Sequence, residues 1–173
     1  MDVKILRLGH RYGRDKRLTT HVCLTGRALG TSKVFYSGDE DSKLEKNIRE
    51  TSERWGGNFK IKYVKNWKKF VKNFDGIKVH LTMYGEPVQD RIEELSNKYS
   101  NVLIIVGSQK VPGEIYDLAD YNIAVTNQPH SEVSALSIFI HELFRGQELD
   151  NEFENPELKI VPQKSGKEVI KND

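Results

Sequence analysis

The segment Tyr121–Phe144, YNIAVTNQPHSEVSALSIFIHELF, places a strand, a polar loop and a helix in immediate succession. Residues 121–125 alternate as in a β-strand, and from Ser131 onward the apolar residues recur at helical spacing. Ser131 can cap the helix by accepting from its free N–H groups, and Gly146 lies where a left-handed residue would end it. The segment predicts either a small-ligand site built from backbone groups or an ordinary strand-to-helix connection.

The rest of the chain repeats this alternation of strands and helices. Further strands are predicted at 3–8, 33–36, 59–64, 77–82 and 102–106, with helices starting at Thr19 or Thr20 and at 39–55, 66–74, 88–99 and 115–118. Val102–Val106 is apolar throughout, as in a strand covered on both faces. The pattern predicts an α/β fold with a mostly parallel sheet and helices on both faces. Residues 1–155 are expected to form one domain, and residues 156–173 an added hairpin.

Composition excludes several classes of site. The 173 residues contain one cysteine, Cys23, so internal disulfides and cysteine-based zinc sites are excluded, and its apolar neighbours predict a small buried side chain. The histidines show no metal-ligand spacing with carboxylates, so no metal is expected. Neither a dinucleotide-binding glycine motif nor a P-loop occurs. No apolar run approaches a membrane span, and we expect a cytoplasmic protein without membrane contact.

Positive charge is concentrated at one end of the chain. The net charge is only +2, yet seven Lys and Arg residues lie within residues 1–30. Four of them fall at 11–17 beside Gly9 and Gly13, which predicts a flexible basic loop suited to phosphate, although a solvated face is the usual alternative. The predicted RNA-binding residues are Arg7, Arg11, Arg14, Lys16, Arg17 and Arg27.

Three polar or turn-forming loops follow predicted strands, at 83–87, 107–112 and 126–130. Ligands of parallel sheets sit beyond the carboxyl ends of the strands, so these loops are expected to form one pocket.

Three motifs carry a resemblance to a known family. The stretches RLGHRYGRDKRLTTHVCLTGRALG (7–30), VGSQKVP (106–112) and TNQPHSEVSAL (126–136) resemble the archaeal tRNA (cytidine-56)-2′-O-methyltransferases, members of the SPOUT class of knotted methyltransferases. The resemblance covers nearly the whole chain. It implies a homodimer, a deep C-terminal trefoil knot, S-adenosylmethionine as methyl donor and a ribose of the tRNA T-loop as acceptor.

By position, the cofactor pocket that the resemblance implies falls on the same three loops. The residues are Leu81, Thr82, Met83, Tyr84, Gly85, Val106, Gly107, Ser108, Gln109, Lys110, Val111, Val125, Thr126, Asn127, Gln128, Pro129, His130 and Ser131. The family usually has a glutamate at the place of Gln109, so a charge there cannot be required in this chain for binding the cationic donor.

The catalytic residues depart from a wider pattern. Many knotted ribose methyltransferases have an arginine six residues before a glycine like Gly30, where this chain has Leu24, so the catalytic arginine is expected in the basic loop. We predict catalytic roles for Arg14 and Arg17, with Asp15 holding one of the two guanidinium groups. His21 is a candidate proton acceptor, since histidine exchanges protons near neutral pH, but a residue bonded to backbone at a helix start explains it equally well.

Two other functions and one interface stay open at this stage. A non-enzymatic RNA-binding module would use the basic loop without chemistry, and a base-modifying tRNA methyltransferase would share the donor. The aromatic residues Phe139, Phe144 and Phe153 favour a homodimer interface on the apolar face of the 131–145 helix or on the tail hairpin.

Overall fold

A computed structural model describes residues 1–107 and 111–172, apart from the side chain of Lys16. Its main sheet has six strands in the order β3-β2-β1-β5-β4-β6, and every neighbouring pair is parallel. The strands are β1 (Asp2–His10), β2 (Lys33–Gly38), β3 (Lys60–Tyr63), β4 (Ile77–Pro87), β5 (Asn101–Val106) and β6 (Tyr121–Ala124). The helices are α1 (Lys16–Ala28), α2 (Ser42–Trp55), α3 (Trp67–Lys72), α4 (Val88–Lys98), α5 (Ile115–Leu118) and α6 (Glu132–Phe144). The predicted α/β class is confirmed.

Helices cover both faces of the sheet, and alternate residues of β5 divide between them. Ile104 belongs to the core packed under α1, α2, α4 and α6, whereas Ile105 belongs to the core packed under α3 and α5. Both side chains are fully buried, as expected for a central strand of a parallel sheet. Cys23 of α1 is also fully buried, and burial raises the pKa of its thiol to about 12, which confirms a buried apolar role.

Helix α1 begins at Lys16, three residues before the first predicted start at Thr19. The N–H of Thr19 donates to the carbonyl of Asp15 at 2.9 Å, so Lys16 and Arg17 belong to the first turn. Lys and Arg are good helix formers, which explains why the helix extends into the basic segment. The predicted flexible loop is therefore shorter, and its last two basic residues are helical.

Strand β4 extends to Pro87, through residues 83–87 that the sequence analysis assigned to a loop. It shifts register along β6, so that Leu81 and Glu86 both pair with Ile123. A Cβ at Gly85 would lie 2.5 Å from the carbonyl carbon of Asn122, so only glycine permits this approach of the backbones.

Helix α6 packs its apolar face into the chain's own core. Leu136, Phe139 and Ile140 are fully buried, and Ser131 caps the helix by accepting from the N–H of Val133 at 3.2 Å, as predicted. The left-handed turn that ends the helix includes Arg145 as well as Gly146. Because the apolar face is already covered, the prediction that this face forms a dimer interface is wrong. No helix among residues 1–107 and 111–172 has the length and apolar character needed to cross a membrane.

The chain after α6 forms a 3₁₀ turn, Gln147–Asp150, and an antiparallel pair, β7 (Leu158–Val161) and β8 (Glu168–Lys171). The intervening segment lies across the ends of α1 and α2. The N–H of Gly57 donates to the carbonyl of Glu154 at 2.8 Å, and the ring of Phe153 lies 4.7 Å from the guanidinium carbon of Arg27.

Candidate functional site

A cavity of about 330 Å³ lies beyond the carboxyl ends of β5 and β6 and beside residues 81–84 of β4. The three loops that follow or extend these strands meet there, because parallel strands all end at the same edge of the sheet. The described residues around the cavity are Leu81, Thr82, Met83, Tyr84, Gly107, Val111, Tyr116, Ile123, Val125, Gln128, Pro129, His130, Ser131, Glu132 and Ala135.

Side-chain amides and hydroxyls fix the walls of this cavity. The amide of Asn127 donates to the carbonyls of Met83 at 2.8 Å and Gly85 at 3.2 Å, which joins the third loop to the first. The hydroxyls of Thr82 and Tyr116 are 3.0 Å apart. Each wall is therefore held by contacts to another segment of the chain, as a preformed ligand site requires.

His80 supports Tyr116 from below the cavity. Its buried ring meets the Tyr116 ring edge to face at 4.9 Å between centroids, and its Nδ1 lies 2.9 Å from the Oδ1 of Asn122. Burial lowers the pKa of His80 and outweighs the hydrogen bond, which favours the neutral ring. A neutral His80 suits a structural support.

A buried ion pair connects the cavity to β1. The Nη2 of Arg7, a fully buried residue, lies 3.2 Å from the Oε1 of Glu132, which lines the cavity in the first turn of α6. Arg7 also donates from Nη1 to the carbonyl of Leu8. Burial lowers the pKa of Arg7, and the Glu132 carboxylate opposes this effect. Among the described lining residues, Glu132 is the one carboxylate.

The basic segment 11–17 leaves β1 at the same edge of the sheet. Arg11 binds Asp15 through two hydrogen bonds, Nε to Oδ2 at 2.6 Å and Nη2 to Oδ1 at 3.2 Å. These hydrogen bonds raise the pKa of Arg11 and lower the pKa of the Asp15 carboxyl. The Arg14 and Arg17 side chains are exposed, and their guanidinium groups form no hydrogen bond or ion pair with any residue that the structure describes. The segment thus presents two uncommitted guanidinium groups.

Close relatives share the full length of this chain. A profile of the tRNA ribose 2′-O-methyltransferase family aTrm56 matches residues 55–170. The tRNA (cytidine(56)-2′-O)-methyltransferase of Methanobrevibacter smithii is 51% identical, with 100% of this chain and 98% of the relative aligned. The enzyme of the same name from Pyrococcus horikoshii is 50% identical over 97% of this chain and 84% of the relative. The chain belongs to this family.

Comparison with solved structures shows that this chain has the fold of TrmH/SpoU proteins. The A. aeolicus TrmH/SpoU tRNA modifying enzyme superposes with a TM-score of 0.58 at 22% identity, covering 85% of this chain and 76% of the other. The AdoMet-bound rRNA methyltransferase from Sinorhizobium meliloti gives 0.57 at 16% identity, covering 84% of this chain and 57% of the other. At these identities the comparison concerns the fold alone.

Most of the cofactor-site residues predicted for this chain line the cavity. Those that do are Leu81, Thr82, Met83, Tyr84, Gly107, Val111, Val125, Gln128, Pro129, His130 and Ser131. Gly85, Val106, Thr126 and Asn127 do not line it. Val106 is fully buried at the end of β5, and Asn127 joins two loops. Ser108, Gln109 and Lys110 lie outside the described residues.

Sequence reasoning missed Tyr116, Ile123, Glu132 and Ala135. The sequence offers a signal for Glu132 as a cavity residue. It directly follows the cap residue Ser131, so it lies at the same end of α6 as the loop that lines the cavity. Tyr116 lines the cavity because of the way α5 packs, and Ile123 lines it because β6 pairs with β4. No local sequence pattern indicates either arrangement.

Two of the residues predicted to bind RNA in this chain are buried. Arg7 is fully buried on β1, where its guanidinium pairs with Glu132. Arg27 is 8% exposed, and it donates to the carbonyl of Gly56 at 2.7 Å at the far end of α1. Direct RNA contact by Arg7 is therefore contradicted, and Arg27 lies apart from the exposed basic segment, because position in the sequence does not distinguish buried from exposed arginines.

Asp15 binds Arg11, so the prediction that it holds Arg14 or Arg17 is also wrong. Asp15 and Arg11 are four residues apart, and side chains at this spacing lie close together when the backbone makes a helical turn. Lys16, also predicted to contact RNA, has a side chain that the structure does not describe.

The two histidines of the basic region occupy different environments. His21 is exposed on α1, one turn after Arg17. His10 is fully buried, with Nδ1 2.8 Å from the Thr19 hydroxyl and Nε2 3.5 Å from the Oδ2 of Asp41. His10 therefore joins the end of β1 to α1 and to the start of α2, and so fixes both ends of the basic segment.

Proposed function

We propose that this chain transfers a methyl group from S-adenosylmethionine to the ribose 2′-hydroxyl of cytidine 56 in the tRNA T-loop. One observation carries the proposal: relatives about 50% identical over almost the whole chain bear this activity as their name. The geometry supports it, because a ligand-sized cavity and two uncommitted arginines lie at one edge of the sheet. The substrate would also place the protein in the cytoplasm.

The cavity fits the methyl donor in size and chemistry. A volume of about 330 Å³ lies within the range of small-molecule sites. Leu81, Val111, Ile123 and Val125 offer apolar contact to a purine. The Glu132 carboxylate suits a ligand with positive charge, while backbone groups of the loops suit polar edges. When bound, S-adenosylmethionine supplies a methyl group on a sulfonium, which is a good leaving group.

The chain's own residues act mainly on the acceptor. A ribose 2′-hydroxyl is a very weak acid, so it must be aligned with the methyl group and its developing negative charge must be stabilised. Arg14 and Arg17 can bind the adjacent phosphate and support that charge, because a planar guanidinium donates in two directions. The negative charge of Asp15 in the basic segment, like that of Glu132 in the cavity wall, opposes the lowering of the Arg7 pKa, which supports a position of the basic segment near the cavity. His21 is the proposed proton acceptor.

A direct test uses a tRNA transcript with 2′-deoxycytidine at position 56 beside the all-ribose transcript. With labelled donor, methyl incorporation should require the 56 hydroxyl, and nucleoside analysis should find the methyl on the sugar of cytidine. Methyl on a base would instead indicate the base-modifying activity. Binding of tRNA without any incorporation, and without thermal stabilisation by donor or S-adenosylhomocysteine, would indicate a non-enzymatic RNA-binding module.

Three architectural features accompany the proposal. A trefoil knot around β6 is proposed from the resemblance to the knotted methyltransferases, and β4 shifts its register along β6 in the segment between Leu81 and Glu86. Asn127 beyond β6 binds the carbonyls of Met83 and Gly85 in that segment. Residues 1–155 are proposed as the methyltransferase domain, with 156–173 as an appended hairpin.

The chain is also proposed to form a homodimer. With the apolar face of α6 buried, one exposed apolar candidate surface has Ile138 on the outer face of α6 and Leu24 on the adjacent α1, and the other has Ile160, Val169 and Ile170 on the tail hairpin. Helices α1 and α6 contact each other, so Leu24 and Ile138 can belong to one continuous surface, and we propose this surface as the interface.

Sedimentation at micromolar protein should therefore show a dimer for the unmodified chain and a monomer for Ile138→Asp, because a charge in an apolar interface core is costly. Ile170→Asp is the matched control and should remain dimeric. A shift to monomer only in Ile170→Asp would assign the interface to the hairpin, and an unmodified chain that sediments as a monomer would contradict the dimer.

A further inference from the structure

A second cavity, of about 660 Å³, lies at the opposite edge of the sheet. Helices α1 and α2 each start near the carboxyl end of a strand and run back, so Arg27 in the last turn of α1 and Trp55 at the end of α2 reach the amino-terminal edge. The segment that follows the 3₁₀ turn, together with β7, forms the other wall. We call this cavity the tail groove; its principal lining residues are Arg27, Trp55, Phe153, Pro156, Lys159 and Ile160.

Arg27 is the central feature of the tail groove. It is more than nine-tenths buried, its Nη2 donates to the carbonyl of Gly56, and the Phe153 ring lies against its guanidinium group. Its Nε is buried and has no hydrogen-bond partner. Within residues 1–107 and 111–172, no carboxylate forms an ion pair with Arg27.

A buried cation without a counter-charge is unfavourable, because it loses hydration that a carbonyl and an aromatic ring replace only in part. Burial accordingly lowers the pKa of Arg27. An anion in the groove that Arg27 lines would supply the missing counter-charge, and arginine is well matched to phosphate oxygens.

The other walls add the features of nucleotide recognition. Trp55 and Phe153 bring aromatic rings, on which nucleobases stack without dependence on sequence. Lys159 brings a second positive charge, whereas Glu152 contributes one carboxylate and is exposed. A groove that combines a buried guanidinium, a lysine and two aromatic rings differs from the cavity at the carboxyl edge, whose described lining has one carboxylate and no lysine or arginine.

We propose that the tail groove binds a nucleotide unit, with its phosphate at Arg27 and Lys159 and its base on Trp55. The unit is either a free nucleotide or a nucleotide of tRNA away from the methylated position. Because the groove lies at the edge opposite the donor cavity, this site is independent of the proposed methyl transfer, and occupation of one does not require the other.

The fluorescence of Trp55 provides the test. The chain has two tryptophans, so the Trp67→Phe variant leaves Trp55 as the single reporter. Adenosine monophosphate should quench Trp55 in a saturable manner, inorganic phosphate should compete, and saturating S-adenosylhomocysteine should not. Quenching by mononucleotide identifies a free-nucleotide site. Quenching by tRNA but not by mononucleotide identifies a site for part of the tRNA.

Variants then connect the signal to the proposed contacts. Lys159→Glu and Arg27→Gln should each weaken the binding that causes quenching, and Trp55→Leu should weaken tRNA or nucleotide affinity about tenfold, as loss of one stacked base does. Single-turnover methylation at saturating tRNA should stay unchanged in all three. Lys167→Glu, the same charge change in the exposed β7–β8 connection, is the matched control and should bind normally.

Arg27→Gln is checked by thermal unfolding, because Arg27 also binds the Gly56 carbonyl. If that variant is unfolded, exposed Lys159 and half-buried Trp55 still decide the question. Absence of Trp55 quenching by both mononucleotide and tRNA would overturn the proposal, and so would equal effects of Lys159→Glu and Lys167→Glu. Either outcome leaves the methyl-transfer proposal intact, since its measurement is incorporation at cytidine 56.

Discussion

Arg14→Ala, Arg17→Ala or both should lower the single-turnover rate of methylation by on the order of 10²-fold at saturating tRNA, the usual loss when one transition-state donor is removed. Both guanidinium groups are exposed and uncommitted, so they are available to the phosphate and the ribose. Arg11 is the matched control in the same segment, because its guanidinium already binds Asp15 at two points. Arg11→Ala should weaken tRNA affinity without a comparable loss of rate.

The measurement is methylation with enzyme in excess, compared with tRNA affinity at two salt concentrations. An arginine that only binds phosphate should lose affinity modestly and reduce the salt dependence by about one counterion. Arg17→Lys should not restore a lost rate, because an ammonium group cannot span phosphate and hydroxyl as a planar guanidinium does. Near-normal rates in all the variants would show that the segment only binds phosphate, and the chemistry would then be sought at His21 or in a partner subunit.

The fold class could be predicted from the sequence because its signals are local. Apolar runs such as Val102–Val106 and the spacing after Ser131 each report one element, and parallel topology places the loops that follow them at one edge. The cavity loops were found for this reason. The start of α1 was misplaced because Lys16 and Arg17 suit both a basic loop and the first turn of a helix.

The errors share a different cause, which is that burial and pairing depend on distant parts of the chain. Arg7 and Arg27 resemble Arg14 and Arg17 in sequence, yet one pairs with Glu132 of α6 and the other packs against Phe153 of the tail. Strand β4 passes through a segment with turn-forming residues because it pairs with β6, some forty residues later in the chain. Such partners are set by tertiary structure, which no window of sequence contains.

The ion pair between Arg7 and Glu132 should dominate the stability of the donor cavity. The Arg7 side chain is completely buried and loses all its hydration. The Glu132 side chain retains 24% exposure and can be hydrated in part. Removing one partner of a buried pair costs about 3–5 kcal/mol. Glu132→Gln, which leaves the guanidinium buried without a counter-charge, should therefore destabilise the fold more than Arg7→Met, which leaves a carboxylate that can reach water.

Urea unfolding of the two single variants and of Arg7→Met/Glu132→Gln would measure the coupling. The double variant should be more stable than Glu132→Gln alone, because neither member of the pair remains buried without a partner. Arg91→Met is the control: it breaks the Arg91–Glu86 pair, which is shorter at 2.6 Å but exposed, and it should leave the free energy of unfolding almost unchanged. Titration with S-adenosylhomocysteine completes the argument, since Glu132 lines the cavity and Arg91 does not. A double variant as unstable as the sum of the single variants would mean that the two side chains stabilise the fold independently, and the pair would then not be the contact that joins β1 to the donor cavity.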